Sequence, residues 1–170
     1  RAIAANRSIK HLIIKSQHDR IMGDVFDNIM GDVFTILTPS LQNNLVSFEA
    51  SNFTLDSRTV ELLVSALSRC NKSLRQISFN HCDGMNEDAI AKIIGVVTSH
   101  PNINLSLDEY AIGDGVGAAL GSALCAYPTL TTLSLAGDAD GQLGSITAAG
   151  MEGFCNCLSS PSSSLEVLNL

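Results

Sequence analysis

The chain has 170 residues, 45% of them hydrophobic and 16% charged, a balance that suits an ordered fold with a sizeable core and excludes a disordered polypeptide. Seventeen acidic against ten basic residues leave a net charge of −7, and with Lys and Arg scattered no phosphate-neutralising patch forms, which excludes nucleic acid as a general partner. No apolar run reaches the roughly 18 residues needed to span a bilayer, and residues 1–10 lack the apolar stretch of a secretory leader, so a soluble cytoplasmic chain is expected, with a nuclear setting also open.

In chain order, the first element is a strand at Ile9-Lys-His-Leu12-Ile-Ile14, with apolar residues at the first, fourth and sixth positions. Next comes a tandem duplication, Ile21-Met-Gly-Asp-Val-Phe26 repeated as Ile29-Met-Gly-Asp-Val-Phe34, which lengthens a helix by about two turns. Leu45-Val-Ser-Phe48-Glu-Ala50 repeats the strand pattern. Asp56 is a candidate cap for a helix whose stripe is Val60, Leu63, Val64 and Leu67. Leu74-Arg-Gln-Ile77-Ser-Phe79 is the third strand, and a helix capped at Asn86 follows with Ile90, Ile93, Ile94 and Val97 on one face. The fourth strand, Asn102-Ile-Asn-Leu105-Ser-Leu107, has Asn in the first apolar slot, where Ile103 substitutes by a small shift. After it, Asp114 caps a helix carrying Val116, Leu120 and Leu124. Leu130-Thr-Thr-Leu133-Ser-Leu135 precedes a polar, Gly-rich loop from Gly137 to Ser145. The last helix, capped by Ser145 or Thr147, carries Met151, Phe154 and Leu158 and leads to Leu165-Glu-Val-Leu168-Asn-Leu170. Pro39, Pro101, Pro128 and Pro161 fall just before strands, where a helix must stop.

First positions at 9, 45, 74, 102, 130 and 165 give steps of 36, 29, 28, 28 and 35. The duplication and the Gly-rich loop account for the two long steps. One strand and one helix per unit leave each unit with an unburied apolar face, so stability must come from stacking neighbours around a continuous core. The predicted fold is α/β: a single domain over 1–170, with a parallel sheet on the concave face of a curved solenoid and helices on the convex face. Neither end carries a polar capping unit, so the chain reads as a fragment of a longer array.

The period of 28 to 29 residues, Cys82 in the slot that follows Leu74-x-x-Ile77-x-Phe79, and Ile112-Gly-Asp-Gly-Val-Gly-Ala-Ala-Leu-Gly-Ser-Ala-Leu124 together resemble the ribonuclease-inhibitor-like class of leucine-rich repeats. The resemblance covers essentially the whole chain and is specific for the fold class. Gln17, Phe53, Tyr110 and Asp138 occupy the Cys82 slot in other units, which departs from the family's polar ladder. Ribonuclease inhibitors, the sensor arms of nucleotide-binding immune receptors and the Ran GTPase-activating protein share this repeat, and the resemblance implies protein binding through the inner face or its edges.

Residues between the core leucines turn away from the core or lie at its rim. From this ladder the candidate partner-binding residues are Lys10, His11, Lys15, Glu49, Asn52, Arg75, Gln76, Asn80, His81, Asp108 and Glu109. Their charge runs from basic to acidic, a polarity that can orient a partner. The expected function is non-catalytic protein–protein interaction on the concave face, without membrane insertion. Alternatives are a structural subunit of a larger complex, anchored by its convex helices, and a GTPase-activator-like regulator.

Motifs that carry chemistry are weak. Gly113-Asp-Gly115-Val-Gly-Ala118 fits a dinucleotide fingerprint, but its glycines lie several residues beyond Leu107 rather than in a tight strand-to-helix turn, so a loop into a small-residue helix is expected. Cys155-Asn-Cys157 has no second pair at zinc spacing, and Asp138-Ala-Asp140-Gly141 lacks the closing Glu of a calcium loop. The five cysteines, Cys70, Cys82, Cys125, Cys155 and Cys157, form an odd set and are expected as reduced thiols, with Cys155 and Cys157 buried. His11 or His81 beside Ser47 or Ser78 lacks a fixed base, an orienting group and oxyanion donors. No catalytic residue, cofactor or metal is expected.

Overall fold

Alternation of apolar and polar residues draws six segments into strands: β1 (His11–Lys15), β2 (Ser47–Ser51), β3 (Gln76–Asn80), β4 (Ile103–Asp108), β5 (Leu130–Ser134) and β6 (Val167–Asn169). The computed structural model describes residues 9–15, 44–53, 55, 57–70, 73–82, 87–97, 100, 102–108, 114–126, 130–135, 147–159 and 164–169. All six strands form one sheet in chain order, and every adjacent pair is parallel. Parallel neighbours require a crossover between them. Four such crossovers contain α1 (Ser57–Ser68), α2 (Glu87–Val97), α3 (Asp114–Ala126) and α4 (Ala148–Leu158). The duplicated Ile21–Phe34 segment, the loop from Gly137 to Ser145, the four prolines and the caps proposed at Asp56 and Asn86 lie outside the described residues.

The register aligns the apolar residue at the fourth position of every motif. Leu12 pairs with Phe48, Phe48 with Ile77, Ile77 with Leu105, Leu105 with Leu133 and Leu133 with Leu168. The six motifs are therefore neighbours in space as well as in sequence. Ile103 is fully buried and fills the first apolar slot in place of Asn102, the small shift that the sequence suggests. Ile103 pairs with Leu130 while Asn104 pairs with Thr132, so the β5 side carries one extra residue at Thr131. Asn102 adopts φ 53° just before the shortened motif, a left-handed turn that Asn tolerates better than most residues.

Sheet and helix stripes share one core. Phe48, Ile77, Phe79, Leu105, Leu107 and Leu133 from the strands are at most 1% exposed and join Leu63 and Leu67 of α1, Ile93 of α2, Leu120 of α3 and Phe154 of α4 in the same apolar cluster. Phe48 and Phe79, on adjacent strands, hold their ring centroids 5.9 Å apart in a tilted pair. Thr147 caps α4, its side chain accepting from the Ala149 amide at 3.2 Å.

The cysteines also depart from expectation. Cys125 of α3 and Cys157 of α4 are joined in a disulfide, Cα to Cα 5.2 Å, while Cys155 is exposed. The 32-residue separation, close to one repeat, places the two sulfurs on neighbouring helices, a proximity that an odd count of cysteines cannot reveal. Cys70 and Cys82 are buried thiols outside this disulfide.

Candidate protein-binding face

Because side chains alternate across a strand, the residues between the core positions form columns on the opposite face of the sheet. The register defines one column as His11, Ser47, Gln76, Asn104, Thr132 and Val167, and the next as Ile13, Glu49, Ser78, Ser106, Ser134 and Asn169. A third holds Lys15, Ser51, Asn80 and Asp108. His11, Lys15, Glu49, Gln76 and Asn80 thus share a face, and Lys10 and Arg75 stand where β1 and β3 begin. Asp108 closes β4; Glu109 lies outside the described residues.

Hydrogen bonds tie these columns across adjacent strands and along them. His11 Nδ1 and Ser47 Oγ are 2.8 Å apart, Thr131 Oγ1 donates to Asn104 Oδ1 at 3.0 Å, and Asn169 Nδ2 donates to Ser134 Oγ at 3.2 Å. Ser51 donates to Glu49 at 3.2 Å and Ser78 to Asn80 at 3.1 Å. These bonds explain how both serines sit nearly buried on a polar face, since a buried hydroxyl needs a partner. Side chains already held by neighbours lose less freedom when a ligand docks.

The ladder's charge is partly spent internally. Lys15 Nζ lies 3.0 Å from Glu49 Oε1, and Arg75 Nη1 donates to the Leu74 carbonyl at 2.9 Å. The basic-to-acidic gradient read from sequence is therefore softened at its β1–β2 end, where a cation and a carboxylate face each other. In the first two columns the middle of the face, from β3 to β5, carries uncharged Gln, Ser, Asn and Thr.

Asn52 and His81 occupy equivalent positions one residue past β2 and β3, with φ 63° and 50°. Their first role is to turn the chain out of the sheet: the Asn52 amide donates to the Asn80 carbonyl at 3.0 Å, extending the pairing by one residue. His11 and Ser47 come together, as sequence reasoning allowed, on exposed strand surface. Among the described residues no group of three His, Cys, Asp or Glu is placed to hold a metal ion, and no helix is long and apolar enough to cross a membrane.

Sequence reasoning missed a clasp behind the sheet. Asp114, at the start of α3, accepts from the Thr147 amide and, at 2.8 Å, from the Thr147 hydroxyl. The Thr147 backbone and side-chain hydrogen bonds hold this carboxylate below its ordinary range. Two glycines of the supposed dinucleotide fingerprint, Gly115 and Gly117, lie in the first turn of α3. Asp114 to Ala118 are the first residues of α3, and a Cβ on Gly121 would come within 2.6 Å of the Gly153 carbonyl carbon. Small residues here serve the close approach of α3 and α4.

No family model matches the chain, and no curated protein sequence is significantly similar to it. Among solved structures it is similar to the tropomodulin C-terminal domain of Caenorhabditis elegans, with a TM-score of 0.61 over 90% of this chain and 82% of that one. Identity is 14%, so the likeness concerns the fold, and it agrees with a leucine-rich-repeat-like arrangement of parallel strands and helices.

Proposed function

We propose that this chain is a non-catalytic protein-binding module of the ribonuclease-inhibitor-like class, curved so that its sheet lines the concave side and engages a protein partner there. The observation that supports this reading most is the sheet itself: six parallel strands in continuous register present columns of polar side chains, many already tied to one another. Such a face offers many donors and acceptors at fixed spacing, which suits the broad polar surface of a protein more than a small ligand in a cleft. The His11–Ser47 pair fits the same reading as a polar link between β1 and β2.

Arg75, Asp108 and Glu109 are the charges to reverse, because the repeat pattern of the sequence assigns them to the ladder of neighbouring units. The chain is used to capture a partner from native lysate, and the Arg75→Glu, Asp108→Lys, Glu109→Lys variant is compared with it by quantitative mass spectrometry. Loss of the captured protein, with circular dichroism and Tm unchanged, is expected. Undiminished capture by the folded variant would place the docking surface elsewhere.

A further inference from the structure

The bridged sulfurs of Cys125 and Cys157 see different surroundings: Cys125 is exposed, whereas Cys157 is only 4% exposed. Their Cα separation of 5.2 Å lies inside the range a disulfide spans without backbone movement. Cys157 Sγ also lies 2.9 Å from the Gly121 carbonyl oxygen. A bridged sulfur has no proton to donate, so only a reduced thiol uses that acceptor. Once the bridge is broken, the buried thiol therefore has a backbone acceptor of α3 within reach.

We propose that Cys125 and Cys157 form a reversible redox latch between α3 and α4, closed and opened by exchange with a small thiol–disulfide couple of the glutathione type. In closure the exposed Cys125 thiolate attacks the small disulfide, breaks its S–S bond and expels one thiolate. Cys157 then gives up its proton, and its thiolate attacks the Cys125 sulfur of the mixed disulfide, expelling the second thiolate. Two protein thiols are oxidised, one small disulfide is reduced to two thiols, and the two protons released from the cysteines pass to the departing thiolates. Opening runs in reverse: a small thiolate attacks Cys125, the solvent-accessible sulfur, and a second one releases it. Cys157 takes up a proton and its S–H donates a hydrogen bond to the Gly121 carbonyl, while the two small thiols leave as one disulfide.

Backbone contact between the two helices at Gly121 and Gly153 gives the latch its consequence. The helices stay packed when it opens, but the covalent tie between their C-terminal ends is gone, and the last two units separate more easily. Cys70 and Cys82 stay out of this exchange, because both are buried and burial pushes the Cys70 thiol up to about 11, far from the thiolate form.

The test equilibrates the 170-residue chain in glutathione buffers from fully reduced to fully oxidised, traps free thiols with iodoacetamide, maps them by mass spectrometry and measures Tm at each ratio. Cys125 and Cys157 should lose alkylation together within the series, with a Tm several degrees higher in the oxidised form. Cys125→Ser should abolish the Tm shift and Cys155→Ser preserve it. The proposal is overturned if the pair is alkylated at every ratio, protected at every ratio, replaced by a bridge to Cys155, or if the Tm shift survives Cys125→Ser.

Discussion

At His81 the backbone sets a demand that the side chain meets poorly. Its φ of 50° lies in the left-handed region, which costs a residue with a Cβ roughly 1–2 kcal/mol and a β-branched one more. His81→Val should therefore lower unfolding free energy by about 1–2 kcal/mol in urea titrations, while His81→Gly should match or exceed the parent. A Val variant as stable as the parent would mean that the turn relaxes without it. Asp114 makes a second residue-scale case, this time in pH. Thr147's amide and hydroxyl stabilise its ionised form and lower its pKa from 3.8. A carboxylate depressed in the folded state contributes stability above the unfolded value, and that contribution disappears as pH falls through the folded value. Acid titration followed by circular dichroism should therefore show a component of stability lost below about pH 4 that is missing in Asp114→Asn. Superimposable acid transitions would reject this role for the clasp.

Between α3 and α4, two facing glycines invite opposite outcomes. A Cβ on Gly121 meets Gly153 backbone at 2.6 Å, whereas one on Gly153 meets nothing within 4 Å. Gly121→Ala forces the helices apart and should cost about 1–3 kcal/mol as overpacking, offsetting any propensity gain. Gly153→Ala keeps the packing and should add up to about 1 kcal/mol of helix propensity. Thermal melts of the two variants moving the same way would show that the approach of these helices is not limited by residue 121. This junction was the least readable part of the sequence. Gly113 to Ala118 suggested a phosphate loop or a small-residue helix, but nothing in one dimension says which helix the small residues meet. Thr147 was readable as a cap because its chemistry is local. Asp114 as its partner, 33 residues away, was not, and neither was the disulfide.

Over the whole molecule, the repeat was legible because each strand announces itself with its own apolar slots, and their alignment needed only counting; the register follows Leu12, Phe48, Ile77, Leu105, Leu133 and Leu168 as the motifs do. The candidate face was legible only as a list of positions. Ladder counting could not foresee that Lys15 spends its charge on Glu49, or that Asn52 and His81 are held by turn geometry. Counting also says nothing of how stability is spread along the array. A stack of units is stabilised chiefly by nearest neighbours, so interior units gain from both sides and terminal ones from one. In the 170-residue chain exposure follows this gradient: Leu168 in β6 is 37% exposed, whereas Phe48, Ile77, Leu105 and Leu133 of the same column are at most 1%. Native-state hydrogen exchange should therefore be slowest for amides of β3 and β4 and fastest for those of β6, through partial openings that spare the centre. Ile77→Ala, which empties a fully buried slot, should cost about 2–5 kcal/mol and collapse this gradient by weakening its centre. Protection factors equal from β3 to β6 would instead identify a single cooperative unit, in which removing a terminal contact costs as much as removing a central one.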